Sequence, residues 1–226
     1  MDTRQKNFNV TRKIVERIAG VNPNAFPVLQ RLENYVSASR RSTNWRELYT
    51  QELGFTLEQT DTAGKLWTEF QLKDRTPTSL YDGIPEVISA LGKFPNGIVS
   101  QNSQSNISRV LEDNGVLAYF RCIIGYEEVD LRKQKPEPDG LLLCMERLTE
   151  FRRGCVLYIG DHESDFQCAR NANEVLQRNR ARVKVISIGA VYSFHDDHSD
   201  REIRPDYTAK SVNDVVDIVH GLQETT

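Results

Sequence analysis

The sequence predicts an α/β fold, a doubly wound parallel sheet joined to a separate all-helical domain, and three observations predict it. Beyond residue 79, short apolar runs alternate with helical stretches, which is the pattern of strands linked by crossover helices. One run, Cys155-Val156-Leu157-Tyr158-Ile159, passes directly into Gly160-Asp161, with a second aspartate at Asp165. A continuous apolar run suits a parallel strand covered on both faces, and polar residues just past its carboxyl end sit where open α/β sheets bind ligands. Before residue 79, apolar residues recur at helical spacing and no strand pattern appears. The boundaries are accordingly placed at 1–78 for a helical domain and 79–226 for an α/β domain.

In chain order, Phe8, Val15 and Ile18 form a first helical stripe ending at Gly20, and Asn22-Pro23-Asn24 resets the chain. Val28, Leu29, Leu32, Tyr35 and Val36 form a second stripe. Ser42-Thr43-Asn44 can cap a third helix through Trp45, Leu48 and Leu53 to Gly54, and a fourth carries Leu57, Leu66, Trp67, Phe70 and Leu72. Helix-packing core accounts for these aromatic stripes better than a cofactor site does. After the turn at Tyr81-Asp82-Gly83, a helix runs to about Gly92. Ile98-Val99-Ser100 then reads as a strand, Asn106 to Glu112 as a helix, Cys122-Ile123-Ile124-Gly125 as a strand and Leu141 to Leu148 as a helix. The run ending at Ile159 is the third strand, and Val183 to Gly189 the fourth.

Composition narrows the function. The 226 residues carry a formal net charge of −3, with no basic run, so neither nucleic acid nor an anionic membrane is an expected partner. No apolar stretch approaches a membrane span and the start has no signal-peptide core, so a soluble cytoplasmic protein is expected. The four cysteines, Cys122, Cys144, Cys155 and Cys168, show no paired spacing and read as reduced, mostly buried thiols.

Three strand ends carry the polar residues that a shared active-site edge requires. Ser100-Gln101-Asn102-Ser103 offers a hydroxyl and backbone N–H groups that can cradle a phosphoryl oxygen, or simply a polar turn capping the next helix. Lys135-Pro136-Glu137-Pro138-Asp139 holds one lysine between stiff prolines, either to meet an anion or as a rigid surface loop. Asp161 and Asp165 can hold a hard divalent cation such as Mg²⁺, or can complement a helix dipole. His195-Asp196-Asp197-His198 reads as a solvated loop, since a metal site needs convergent geometry and not mere adjacency. Arg40-Arg41 reads as a solvated charge pair, and His162 as a residue at the mouth of the site without catalytic duty.

A strand ending in Ser100, then Lys135-Pro136-Glu137-Pro138, then an apolar strand running into Gly160-Asp161 and Asp165, resembles the haloacid dehalogenase superfamily, within it the phosphoglycolate phosphatases and β-phosphoglucomutases. The resemblance implies a Rossmann-like core with a helical cap, Mg²⁺ as cofactor and a small phosphorylated substrate, with catalysis through an aspartyl phosphate. It assigns Ser100, Gln101 and Asn102 to phosphoryl binding and Lys135 to neutralising the phosphate. Asp161 becomes a Mg²⁺ ligand, while Asp165 ligates the ion or orients its shell. Arg204-Pro205-Asp206-Tyr207-Thr208 resembles the family's closing segment before the last helix.

The family's nucleophile motif, Asp-x-Asp-Gly-Thr, occurs nowhere in this sequence, and Met1-Asp2-Thr3-Arg4 resembles only the tail of that motif. The chain is therefore expected to start just after the nucleophile, and to be inactive and poorly stable as written. In the family the strand bearing that motif lies between the strand ending at Ser100 and the one ending at Ile159. Those two strands are expected to face a gap about one strand wide, roughly 4.8 Å of extra separation. A non-catalytic relative that binds a phosphorylated ligand or a protein partner is the other expectation.

Overall fold

The helical stripes of the first third fold into a unit of their own. The structure, a computed structural model, describes residues 1–42, 44–148, 153–193 and 202–224, and divides the chain into two units, Met1–Ser79 and Leu80–Thr226. The His195–His198 cluster lies outside the described residues.

In the first unit, helix α1 (Arg4–Ala19) buries Phe8, Val10, Ile14 and Val15 on one face. The second stripe is not one helix: Pro27–Leu29 forms a 3₁₀ turn, Arg31 is extended, and α2 (Leu32–Arg41) starts afresh. The third is a short helix, α3 (Trp45–Glu47), opened by the Asn44 side chain accepting from Glu47 N at 3.1 Å and followed by a π-helical turn, Leu48–Glu52. Helix α4 (Leu57–Lys73) opens on a capping box in which Thr56 and Gln59 satisfy each other's backbone N–H groups. The core gathers Ile14, Leu29, Leu48, Tyr49 and Phe55, with the rings of Tyr49 and Phe55 5.7 Å apart. Trp45, Trp67 and Phe70 pack against this core as helix-packing residues.

The second unit alternates helices and parallel strands. Helix α5 (Ile84–Ala90) leads to strand β1 (Asn96–Val99), then α6 (Gln104–Asp113) and β2 (Phe120–Ile124), which pairs parallel with β1. Helix α7 (Asp139–Leu148) precedes β3 (Arg153–Gly160), α8 (Glu163–Arg178) and β4 (Arg182–Ala190). The last strand, β5 (Tyr207–Ala209), pairs parallel with β4 and is followed by α9 (Val212–Glu224). At three residues β5 is too short for periodicity to reveal. It is fastened by Asp206, whose Oδ2 accepts from Ser187 N at 2.8 Å and from the Ser187 hydroxyl at 2.7 Å.

The strands form two sheets, β1-β2 and β3-β4-β5. β1 and β3 do not pair with each other, as expected for the strands ending at Ser100 and Ile159, and each keeps one edge without a strand partner among the described residues. What joins the sheets is apolar packing. Leu141, Leu142 and Met145 of α7, Cys168, Ala169 and Ala172 of α8, and Tyr158 of β3 form one cluster with Val99 of β1 against it. All four cysteines are free thiols; Cys122, Cys144 and Cys168 are buried and Cys155 is exposed.

Helix α7 approaches β1 so closely that Gly97 is required. A Cβ there would lie 2.5 Å from Cys144 Sγ and 2.8 Å from Leu148 Cδ1. Gly97→Ala should destabilise the chain by about 1–3 kcal/mol, as overpacking does. Adding Cys144→Ala should recover part of that loss, and urea unfolding midpoints of the single and double variants check both.

Candidate functional site

The turn after β1, the lysine loop and the start of α8 converge on one ammonium group. Lys135 Nζ donates to Asp165 Oδ1 at 2.7 Å and to Val99 O at 3.3 Å, so it spans from the end of β1 to the beginning of α8. The Lys135–Pro136 peptide bond is cis. The Asp165 side chain is buried and that of Lys135 largely so, with 7% and 14% of their surface accessible. Among the described residues, two of the three ammonium donors are thus engaged.

The loop that carries the lysine is held from both sides. Gln101 Nε2 donates to Lys135 O at 3.0 Å, which ties it to the turn after β1. Asn171 Nδ2 donates to Pro136 O at 3.0 Å and Cys168 Sγ to Glu137 O at 3.4 Å, which ties it to α8. The Ser100–Ser103 stretch realises both of its sequence readings. Ser103 caps α6, its hydroxyl accepting from Asn106 N at 3.2 Å, while Ser100 Oγ accepts from Asn102 N at 3.1 Å and closes a tight turn beside Val99. Asn102 also accepts, through Oδ1, from Ser103 N at 3.1 Å.

Asp165 accepts three hydrogen bonds. Oδ1 takes Lys135 Nζ and, at 3.3 Å, the hydroxyl of Tyr158, while Oδ2 takes the backbone N–H of His162 at 3.2 Å. His162 is the N-cap of α8: its Nδ1 accepts from Ser164 N at 3.2 Å, and Asp165 completes the capping box. Gly160 makes room for this carboxyl, since a Cβ at that position would fall 2.5 Å from Asp165 Cγ. Tyr158 is the site residue that sequence reasoning passed over. The one available signal was a phenol in an otherwise apolar run, Cys155 to Ile159.

The two aspartates are set apart electrostatically. Burial alone would raise the Asp165 pKa, but the charge and hydrogen bond of Lys135 outweigh it and hold the carboxyl below its ordinary 3.8. Burial would likewise lower Lys135, and the charge of Asp165 outweighs it, keeping the ammonium above 10.5. Asp161 has the opposite fate, because burial and the charge of Asp165 both raise its pKa. A carboxylate strained in this way suits a divalent cation, which would relieve the same repulsion. Asp161 therefore fits a metal ligand, whereas the donors around Asp165 suit a residue that orients its neighbours. Among the described residues, no group of three or more His, Cys, Asp or Glu side chains forms a metal cluster.

Arg12, Arg41 and Tyr49 of the first unit have local duties. Arg12 Nη1 donates to Asn24 Oδ1 at 2.8 Å, Arg41 pairs with Glu52 at 3.0 Å, and Tyr49 is 2% exposed within the core.

The Haloacid dehalogenase-like hydrolase family matches residues 28–175, more than half of the sequence, and the chain belongs to this family. The pyrophosphatase PpaX of Listeria monocytogenes is 26% identical over 156 residues, which cover 68% of this chain and 65% of that protein. The phosphoglycolate phosphatase of Escherichia coli is 27% identical over 141 residues, 62% of this chain and 50% of that protein. The match thus spans from half to just under two thirds of these relatives' length. A crystal structure from Lactobacillus plantarum attributed to a phosphoglycolate phosphatase superposes with a TM-score of 0.74 at 17% identity, covering 96% of this chain and 92% of that one. The magnesium-bound YfnB structure from Bacillus subtilis gives 0.52 at 19% identity, covering 97% and 83%. At these identities the structural likeness concerns the fold.

Substitutions should separate the two aspartates. Lys135→Met strands a buried carboxylate and should cost about 3–5 kcal/mol. Asp165→Asn should also destabilise, and the double variant should lose less than the sum of the two. Asp161→Asn should raise the melting temperature in metal-free buffer, because it removes a repelled charge. A thermal unfolding series on the unsubstituted chain and the four variants checks all of this.

The pH dependence follows from the same shifts. With its folded pKa below 3.8, Asp165 contributes stability that is complete above 3.8 and lost as pH falls through the folded value. With its folded pKa above 10.5, Lys135 contributes stability that is complete below 10.5 and lost as pH rises through the folded value. The Lys135→Met deficit should therefore be largest between those limits and shrink in strong acid, as read from urea midpoints across pH.

Proposed function

We propose that this chain is the phosphate-recognising body of a Mg²⁺-dependent phosphomonoesterase acting on a small phosphorylated substrate. The observation that carries the reading is the convergence on Lys135: a largely buried ammonium lies against the carbonyl next to Ser100 and beside Asp165. The ammonium and the Ser100 turn bind the phosphoryl oxygens. Ser100 contributes its hydroxyl proton, which its bond from Asn102 N leaves free to donate, and Gln101 and Asn102 shape the turn. Asp165 and Tyr158 hold the lysine in place.

Mg²⁺ at Asp161 would supply positive charge to the phosphoryl group. Asp165 acts by orienting its neighbours, the second of the two roles that the resemblance allows. Family chemistry through an aspartyl phosphate divides hydrolysis into two easier steps. Its Asp-x-Asp-Gly-Thr motif is not in this sequence, so the chain by itself should bind phosphate without turnover. The names of the two curated relatives favour a small phosphorylated substrate, pyrophosphate or phosphoglycolate being the first to try. Net negative charge and the lack of a basic run favour a partner other than nucleic acid, and a cytoplasmic setting agrees with the free thiols.

Titration calorimetry with inorganic phosphate and Mg²⁺ tests this reading. Binding should weaken about tenfold or more in Lys135→Met and in Asp161→Asn, and less in Ser100→Ala. The absence of phosphate binding, with or without Mg²⁺, sinks the reading. Measurable hydrolysis of phosphoglycolate or pyrophosphate by the 226-residue chain sinks the part of it that denies turnover.

A further inference from the structure

Within the first unit, helix α1, the turn at Asn22 and Pro23 and the segment that leaves α4 line an open cavity of about 510 Å³, none of whose lining residues belongs to the Lys135 site. Its volume lies within the roughly 300–1,000 Å³ of small-molecule sites. Charge distinguishes the lining: Arg12, Lys13 and Arg75 bring three cations to it, Glu16 and Asp74 two carboxylates. Like charges gathered in a concave place repel one another, and together they focus a field that draws in counter-ions.

Two of the cations are held in place by the protein and still have donors to give. The Asp74 side chain is 3% exposed and binds Lys13 Nζ through Oδ2 at 2.7 Å, while its Oδ1 accepts from Thr76 N at 2.8 Å. Asn9 Nδ2 donates to Thr76 Oγ1 at 2.9 Å, which ties the same segment to α1. The buried carboxylate is thus committed on both oxygens, and the half-exposed Lys13 keeps ammonium donors beyond the one that Asp74 takes. Arg12 and Glu16 are spaced on α1 as a helical ion pair would be, yet Arg12 turns the other way. It is anchored through Nη1, to Asn24 Oδ1 at 2.8 Å and to Leu29 O, with its guanidinium carbon 5.4 Å from the centre of the Phe8 ring. Among the described residues its Nε and Nη2 have no hydrogen-bond partner, and neither the Arg75 guanidinium nor the Glu16 carboxylate has any.

We propose that this cavity binds a small multivalent oxyanion, its carboxylate or phosphate groups held by Arg12, Lys13 and Arg75. Guanidinium forks suit either group, because both present paired oxygens. Asp74 positions Lys13, and the exposed Glu16 opposes the anion and limits its affinity. The proposal concerns the first unit and does not depend on the phosphatase reading.

The test uses the whole chain in magnesium-free buffer, with citrate as the carboxylate probe and pyrophosphate as the phosphate probe, each titrated by calorimetry. At least one should bind saturably with a Kd below about 1 mM and weaken as salt is added, and the tighter-binding of the two names the source of the oxyanion. Arg75→Ala, at an exposed position with no hydrogen bond to lose among the described residues, should weaken that probe about tenfold or more while the variant stays folded by circular dichroism. Glu16→Gln removes the opposing charge and should tighten it. Hydrogen exchange should slow with the probe at residues 24–25 and 74–76. Ser100→Ala should leave the Arg75-dependent binding as it is, which separates this cavity from the phosphoryl site. Binding of neither probe overturns the proposal, as does affinity that Arg75→Ala leaves intact or that Ser100→Ala abolishes. Weaker binding in Glu16→Gln overturns it too, because the ligand would then need an ammonium group of its own.

Discussion

The ion pair between Lys135 and Asp165 fastens together four segments drawn from three separate stretches of the chain. Through it the end of β1, the proline-bounded loop, the end of β3 and the first turn of α8 share one buried point. A lone ammonium or carboxylate at that depth would lose its hydration with nothing in return. Both are tolerated because each supplies the other's charge and because Tyr158, His162 N and Val99 O make further hydrogen bonds to the pair. The electrostatics of the site follow: Asp165 pairs with the lysine, while burial and the charge of Asp165 raise the pKa of Asp161.

The same pair sits where the β structure is interrupted. In a doubly wound sheet, backbone ladders hold neighbouring strands together, but between β1 and β3 that work falls to side chains. Apolar residues of α7 and α8 span the two half-sheets, and Lys135 clasps their carboxyl ends. Apolar packing is non-directional, so it can hold two sheets in one body without fixing a hydrogen-bonding register between them. The local glycines show how tight the fit is: Gly97 admits α7 to β1, and Gly160 admits the Asp165 carboxyl to the end of β3.

Much of the fold was legible because its signals are local. Long helices such as α1 and α4 and apolar strands such as β3 and β4 announce themselves through periodicity and composition. Where local signals were weak the reading lost detail. The second stripe broke at Arg31 into a 3₁₀ turn and a helix, the third became a short α-helix with a π-helical turn, and three-residue β5 had no pattern to show. For the site, the sequence offered Ser100, Lys135, Asp161 and Asp165 as separate polar residues after apolar runs. It did not say which of them touch. Tyr158 stayed hidden because a tyrosine inside a strand reads as core until its hydroxyl has a partner.

Residue order and chemistry therefore determined by themselves the α/β class, the helical first unit and the family, since these depend on spacing within about ten or twenty residues. Only the tertiary structure decided that Asp165 belongs to Lys135, thirty positions away, and that Asp161 carries the strained charge. It also decided that side chains of α7 and α8 carry the packing between the two half-sheets. Ion pairing, desolvation and strand order are properties of distances across the chain, and such distances exist only once the chain has folded.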